Sequence, residues 1–294
     1  MPNIGFIGLG NMGAPMAANL VKSGDAVVGF DVVAAARDAV AQSGIAVAPS
    51  AKACVEKADI VITMLPAGEH VRSVWSEVLP AAKSGALFID CSTIDVTSAR
   101  AAHALAAERG IAALDAPVSG GVGGAKAATL TFMVGGAAEA VGRGKPVLER
   151  MGKRVVHCGD AGNGQAAKIC NNMILGASMI AISEAFVLGE KLGLSHQALF
   201  DVASVSSGQC WSLTSYCPVP GPVPASPANN GYKPGFAAAL MLKDLNLARA
   251  AADAVHAKTA IGTHAAEIYA QFAKAGHSGS DFSGIINFVR DASK

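Results

Sequence analysis

The sequence predicts an α/β N-terminal domain on a mostly parallel sheet, followed by an all-helical C-terminal domain that a long interdomain helix joins to it. Three observations support this. Short apolar runs alternate with helical stretches through the first half of the chain, the pattern of strands crossed over by helices. The alternation stops at a Gly-rich turn, Asp160–Gly164, and no convincing strand follows it. From that turn one helical stretch runs over about Gln165–Leu192. A chain of 294 residues suits about two domains, expected at 1–163 and 164–294, with 164–192 as the long helix.

The elements read in order as follows. Ile4–Gly8 is a strand and Met12–Lys22 has helical spacing; Val27–Phe30 is the next strand. Ser50 is placed to cap a helix running to Ala58. Further strands are expected at Ile60–Met64, Leu87–Asp90, Ile111–Ala116, Leu130–Val134 and Arg154–Val156, with helices at Val96–Arg109 and Ala137–Met151 between them. Beyond the long helix, Ser195–Val205, Ala237–Lys258 and Ile261–Ala275 read as helices. Gly208–Phe236 is rich in Pro and Gly; a loop that long is either functional or packed as an ordered excursion.

Composition narrows the function. Hydrophobic residues make up 51% and charged residues 15%, which excludes a disordered chain. The net charge is +1 and no basic block stands out, so nucleic acid is not an expected partner. The longest apolar run, Met173–Gly189, is interrupted by Glu184 and reads as a buried helix, so no membrane span is expected. Met1-Pro2-Asn3 leads straight into a strand, which points to a cytoplasmic protein. The six cysteines, Cys54, Cys91, Cys158, Cys170, Cys210 and Cys217, show no metal-site spacing and read as buried free thiols; no metal is expected. The seven histidines form no recognisable hydrolytic arrangement.

The first chemical signal is Gly8-Leu9-Gly10-Asn11-Met12-Gly13, a G-x-G-x-x-G between a strand and a helix, the context of a Rossmann-type dinucleotide site. Gly8 permits the turn, Gly10 lets a pyrophosphate approach the backbone, and Gly13 allows close packing. The opening of the helix offers N–H groups to the phosphates. Asp31, at the end of the second strand, is placed to accept hydrogen bonds from a ribose and to repel a 2′-phosphate. Val32 and Val33 follow it, and no Arg occurs before Arg37, so NAD is the expected cofactor rather than NADP. Leu65-Pro66, Ser92-Thr93 and Ser119-Gly120-Gly121 follow later strands, on the same carboxyl edge.

Asp115–Gly121 combines a strand end, a hydroxyl and two unhindered backbone N–H groups, a nest suited to a carboxylate, although a plain Gly-rich turn has the same composition. In Gly162–Asn172 a helix starts after a glycine turn, with Lys168 among Ala166, Ala167 and Ile169 and with Asn172 one turn further on the same face. Desolvation lowers a lysine pKa toward the range of an acid/base catalyst. The ordinary fate of a lysine is a solvated surface amine, and the residues alone leave both readings open.

Taken together, Gly8–Gly13, Asp115–Gly121, Gly162–Asn172 and Lys243-Asp244-Leu245 resemble the β-hydroxyacid dehydrogenase family over essentially the whole chain. The resemblance implies an NAD-dependent oxidoreductase acting on a small 3-hydroxy acid, working as a homodimer or homotetramer. It implies Lys168 as general acid/base and Asn172 as the residue that holds Lys168 or the substrate. Ser119, Gly120 and Gly121 would hold the substrate carboxylate. Lys243 would lie by the nicotinamide and substrate, and Thr93 by the cofactor, with Asp244 a structural partner. Trp211 and Phe236 would line the pocket or serve the core. One departure stands out: the family often carries Gly where this chain has Ala128, which bears on the geometry of the loop after the nest. A sister activity on tartronate or another short-chain semialdehyde is the alternative. A non-catalytic NAD-binding module or an imine reducer is disfavoured, because such relatives typically lose the lysine.

Overall fold

The structure, a computed structural model, describes residues Met1–Ser293. The chain forms two compact units, Met1–Lys168 and Ile169–Lys294. The unit boundary falls inside a continuous helix, Asn163–Lys191.

The first unit carries a nine-stranded sheet. Its strands are β1 (Asn3–Ile7), β2 (Ala26–Phe30), β3 (Ala46–Val47), β4 (Ile60–Thr63), β5 (Leu87–Asp90), β6 (Ala112–Asp115), β7 (Val118–Ser119), β8 (Leu130–Gly135) and β9 (Gly152–Gly159). Their order is β3-β2-β1-β4-β5-β6-β8-β7, with β9 paired to β8. The pairs from β3 through β6 are parallel, and β8 runs antiparallel to both β6 and β7. The chain moves outward from β1 to β3, then returns to place β4 on the other side of β1. That reversal opens a crevice at the carboxyl ends of β1 and β4, where ligands of such sheets bind.

Helices cover both faces because the strands are apolar on both sides. One face packs Ile4, Phe6, Ile60, Ile62, Leu87, Ile89 and Leu114 into one core. It is covered by α1 (Gly13–Lys22), α2 (Ala34–Val40), α6 (Gly121–Ala127) and α7 (Ala138–Leu148). The other face packs Ile7, Val61, Phe88 and Ala113 against α3 (Ala51–Val55), α4 (Gly68–Val78) and α5 (Val96–Ala107). Alternate residues of one strand thus feed two cores. Ser50 caps α3 as expected, accepting from the Ala53 N–H at 3.1 Å.

The second unit is helical, as expected. The helix α8 (Asn163–Lys191) is long and apolar enough to cross a membrane by length and composition. Its side chains are spent on two cores: Met179 and Ile180 pack with residues of α11 (Ala238–Ala254) and α12 (Ala260–Phe272), and Phe186 and Val187 pack with Leu213, Cys217 and Val219. Between α8 and α11 lie α9 (His196–Ala203) and the short α10 (Trp211–Thr214), and α13 (Ile285–Ala292) follows α12. The Pro- and Gly-rich stretch is an ordered excursion. Ser226 Oγ donates to the Cys217 carbonyl at 2.6 Å and Tyr232 OH to the Pro218 carbonyl at 2.8 Å, and Val219 and Ala228 are buried.

Several boundaries differ from expectation. The last strand extends over Gly152–Gly159 because pairing with β8 fixes it where its own sequence is polar. The helix expected to end at Lys258 ends at Ala254, where His256 turns left-handed at φ 57°. The cysteines are free; Cys54, Cys91 and Cys217 are buried as expected, but Cys158 and Cys210 are only partly buried and Cys170 is exposed. Burial pushes the Cys54 thiol up to about 12.

Candidate active site

The parallel register ends the central strands in one row. Ile7 pairs with Phe30 and Thr63, Thr63 with Asp90, and Asp90 with Asp115. The loops expected at the carboxyl edge leave from this row: Gly8 follows Ile7, Asp31 follows Phe30, Leu65 lies just past Thr63, Ser92-Thr93 just past Asp90, and Ala116 opens the segment to Ser119–Gly121. Since β6 and β7 both oppose β8, they run the same way, and Ser119–Gly121 lies beyond the same edge.

The glycine turn has the geometry the motif requires. Gly8 has φ 98°, and a Cβ there would lie 2.2 Å from the Met64 carbonyl oxygen. A Cβ on Gly13 would lie 1.8 Å from the Gly8 oxygen, so this glycine closes the turn on itself. A Cβ on Gly10 meets nothing within 4 Å, and Gly10 and Asn11 are exposed. No side chain caps the first turn of α1. An open glycine backbone before an uncapped helix fits the pyrophosphate of a dinucleotide. Asp31 braces this turn: Oδ2 accepts from the Leu9 N–H at 2.7 Å and Oδ1 from the Val33 N–H at 2.8 Å. Arg37 Nη1 donates to the Asp31 carbonyl oxygen at 2.6 Å and lies 5.8 Å from the Phe30 ring centroid, which keeps that guanidinium at the same strand end.

Three carboxyl-edge loops are tied together by side chains that sequence reasoning left without roles. Asp90 Oδ1 accepts from Thr63 Oγ1 at 2.7 Å and from Ser92 Oγ at 2.6 Å, and Trp75 Nε1 donates to Thr63 Oγ1 at 3.2 Å. Ser92 Oγ in turn accepts from the Leu65 N–H at 2.8 Å. Burial pushes the Asp90 carboxyl up to about 6, against the hydroxyls of Ser92 and Thr63, which pull it down. Asp90 Oδ2 has no partner among the described residues. Asp115 accepts at Oδ1 from the Gly162 N–H at 2.8 Å and His103 Nε2 at 3.0 Å, and at Oδ2 from the Gln165 N–H at 2.9 Å. Asp115 therefore anchors the start of the helix that carries Lys168. The signal for these residues was their position at strand ends, but no local motif marks a buried partner far along the chain.

Lys168 is 6% exposed, in the first turns of α8, so it is not a solvated surface lysine. In the nest Gly120 is exposed with φ 135° and Gly121 has φ 61°. Ala128 ends α6 in the left-handed region at φ 54°, a conformation that explains why glycine suits the position better. In the second unit, Asn172 Nδ2 donates to the Asp244 carboxylate and both residues are buried. Asp244 thus fixes the Asn172 amide, a contact sequence reasoning did not name. Lys243 is half-buried beside it. Trp211 is exposed and stacks on Tyr216 with centroids 4.9 Å apart; Phe236 packs edge-on against Phe282 in the helical core.

A glycine turn of dinucleotide-binding geometry on a mostly parallel sheet, with a buried lysine at the head of the long helix, fits the class of nicotinamide-dependent dehydrogenases, and known proteins agree. Residues 3–159 match the NAD-binding domain of 6-phosphogluconate dehydrogenase, and residues 162–289 match the family described as NAD-binding of NADP-dependent 3-hydroxyisobutyrate dehydrogenase. A probable 3-hydroxyisobutyrate dehydrogenase of Mycobacterium tuberculosis is 58% identical over 290 residues, covering 99% of this chain and 98% of its own. An NAD-dependent L-serine dehydrogenase of Pseudomonas aeruginosa is 47% identical over 286 residues, with 96% of each chain covered. The solved structure of Mycobacterium tuberculosis 3-hydroxyisobutyrate dehydrogenase with L-serine superposes with a TM-score of 0.96 over 99% of both chains at 58% identity. The chain belongs to the β-hydroxyacid dehydrogenase family and is an oxidoreductase with NAD as its cofactor. Within the family its resemblance is to the 3-hydroxyisobutyrate dehydrogenases, which its segments Ile169–Met173, Ser206–Trp211 and Pro218–Pro220 also resemble.

Proposed function

We propose that the enzyme oxidises 3-hydroxyisobutyrate to methylmalonate semialdehyde, the redox step of valine breakdown, with Lys168 as general acid/base. The observation that carries this reading is the buried lysine at the head of α8, on a helix start hung from Asp115, the residue that ends β6 just before the segment leading to Ser119–Gly121. When bound, NAD supplies the acceptor for the hydride that leaves the hydroxyl-bearing carbon. Gly8–Gly13, Asp31, Leu65, Pro66, Thr93 and Lys243 hold the dinucleotide. Ser119 and the backbone N–H groups of Gly120 and Gly121 hold the substrate carboxylate, each charge-assisted bond contributing about 1.5–3 kcal/mol. Lys168 in its neutral form takes the hydroxyl proton as the hydride departs; in the reverse direction the ammonium returns it. Desolvation favours the neutral amine. Asn172 holds Lys168 or the substrate, and Lys243 also contacts the substrate. On this reading the enzyme is cytoplasmic and self-assembles as a homodimer or homotetramer, which the exposed apolar side chains of Ile174, Leu188 and Leu192 support.

General acid/base catalysis contributes roughly 10²–10⁴ in rate. Lys168→Ala should lower kcat by about that factor while NAD still binds, as followed by quenching of protein fluorescence. The substrate is tested by initial rates with both enantiomers of 3-hydroxyisobutyrate, L-serine and glycerate, each with NAD and NADP. The expected maximum of kcat/KM is one 3-hydroxyisobutyrate enantiomer with NAD. L-serine is the second reading, favoured by the relative named for that activity and by the ligand of the solved relative. A higher kcat/KM for L-serine would replace the first reading with the second.

A further inference from the structure

We propose that Gln165 is a positioning residue, clamped by Asp115, that sets the direction of Lys168 relative to the Ser92–Ile94 loop; the proposal rests on Lys168 being the acid/base. Gln165 is completely buried, and each of its polar groups is used. Its side-chain Nε2 donates to the Ser92 carbonyl at 2.7 Å, and its Oε1 accepts from the Ile94 N–H at 3.1 Å. The two bonds straddle Thr93, so the amide grips the peptide run on either side of a residue assigned to the cofactor. Its backbone N–H donates to Asp115 Oδ2.

A helix start held by a single bond can still rotate about its axis. The start of α8 is held on two sides, by Asp115 at the Gly162 and Gln165 N–H groups and by the side chain of Gln165 on the Ser92–Ile94 loop. Lys168 follows Gln165 by three residues, less than one helical turn, so the rotation fixed at Gln165 is the rotation of Lys168. The clamp continues outward. Ser92 Oγ bridges Asp90 and the Leu65 N–H, so the same loop is fixed to the tail of β4. The two links need a donor and an acceptor on one side chain, which an amide supplies. Asn at this position is one methylene too short to reach, and a charged group would be desolvated without a counter-charge.

Misplacing a catalytic group by about 1 Å costs on the order of 100-fold in rate. Gln165→Leu keeps the volume and removes both side-chain bonds; it should lower kcat per NAD-binding site by about 10- to 100-fold, with KM for the substrate changing by less than about 3-fold. The decisive experiment is a double-mutant cycle with Lys168→Ala, using the best substrate of the panel and counting sites by NAD titration. If Gln165 acts through Lys168, adding Gln165→Leu to Lys168→Ala lowers kcat by less than about 3-fold further. A full multiplicative loss in the lysine-free background overturns the proposal, as does a Gln165→Leu enzyme with unchanged kcat. Near-normal kcat in Lys168→Ala alone overturns instead the reading of Lys168, which separates the two failures. Gln165→Met, which also lacks the amide, serves the same cycle with the same expectations if Gln165→Leu does not fold.

Discussion

The turn at Gly8–Gly13 and the network around Asp90, Asp115 and Gln165 belong to the same unit and the same sheet edge, yet they are built from different material. The turn is backbone: two glycines admit close approach, a third leaves open space, and one nearby carboxylate braces it. The network is side chain: buried carboxylates, hydroxyls and an amide join residues as far apart as Ser92 and Gln165. A backbone site is robust to its surroundings and fragile to a single methyl. A side-chain network is specific in direction and costly to disturb, because each buried group left unpaired keeps its desolvation penalty. The first suits a phosphate, which needs N–H groups. The second suits aiming one amine.

The comparison breaks most sharply at the glycines. Gly13→Ala forces the turn open against the Gly8 oxygen and should lower NAD affinity about 100-fold along with thermal stability. Gly10→Ala meets no protein atom, so it should leave the melting temperature of the NAD-free enzyme unchanged and weaken only NAD binding. Equal melting temperatures for the two variants would show that the turn is not closed on itself.

The network should show itself in pH. Burial raises the Asp90 carboxyl to about 6 in the fold, above its unfolded value near 4. Its contribution to stability is therefore fully present below about pH 4 and is lost as pH rises through 6. Asp90→Asn cannot titrate. The stability of the natural enzyme minus that of the variant should fall by at most about 3 kcal/mol between pH 4 and pH 7. A constant difference across that range contradicts a buried, raised carboxyl.

Smaller effects sharpen the picture. Asp31→Ala removes the brace on the Leu9 N–H and, on the proposed reading, the charge facing a 2′-phosphate, so the ratio of kcat/KM for NAD over NADP should drop about 10-fold. If the unmodified enzyme uses NADP equally well, the preference assigned to Asp31 is wrong. Ala128→Gly relieves a left-handed alanine and should stabilise the protein by about 1 kcal/mol or slightly less, since glycine also loosens the unfolded chain. A lower melting temperature would show that the strain lies elsewhere.

What was legible in the sequence follows the same division. The strands that start at Ile4, Val27, Ile60, Leu87 and Ile111, the glycine turn, Asp31 and the long helix are written locally, in periodicity and in one motif; the two-residue strand Ala46–Val47 is too short to show a period. Lys168 was legible as a candidate, and its burial excludes the solvated surface amine. Gln165 was not legible as more than a polar residue in a helix start, because its partners Ser92 and Ile94 come from another strand end and only the parallel register brings them to it. Asp244 was legible as a structural partner, but its partner was not, because Asn172 lies on a different helix. The polar strand β9 was cut short because pairing, not composition, makes it a strand.

The most direct test of Lys168 as the acid/base is the pH dependence of kcat/KM for oxidation, measured from pH 6 to 10 on the natural enzyme and on Lys168→Ala. Oxidation needs the neutral amine, so the rate of the natural enzyme should rise along a single-proton limb, and that limb should be missing from the variant. A flat dependence in the natural enzyme, or the same rising limb in both, would contradict the account.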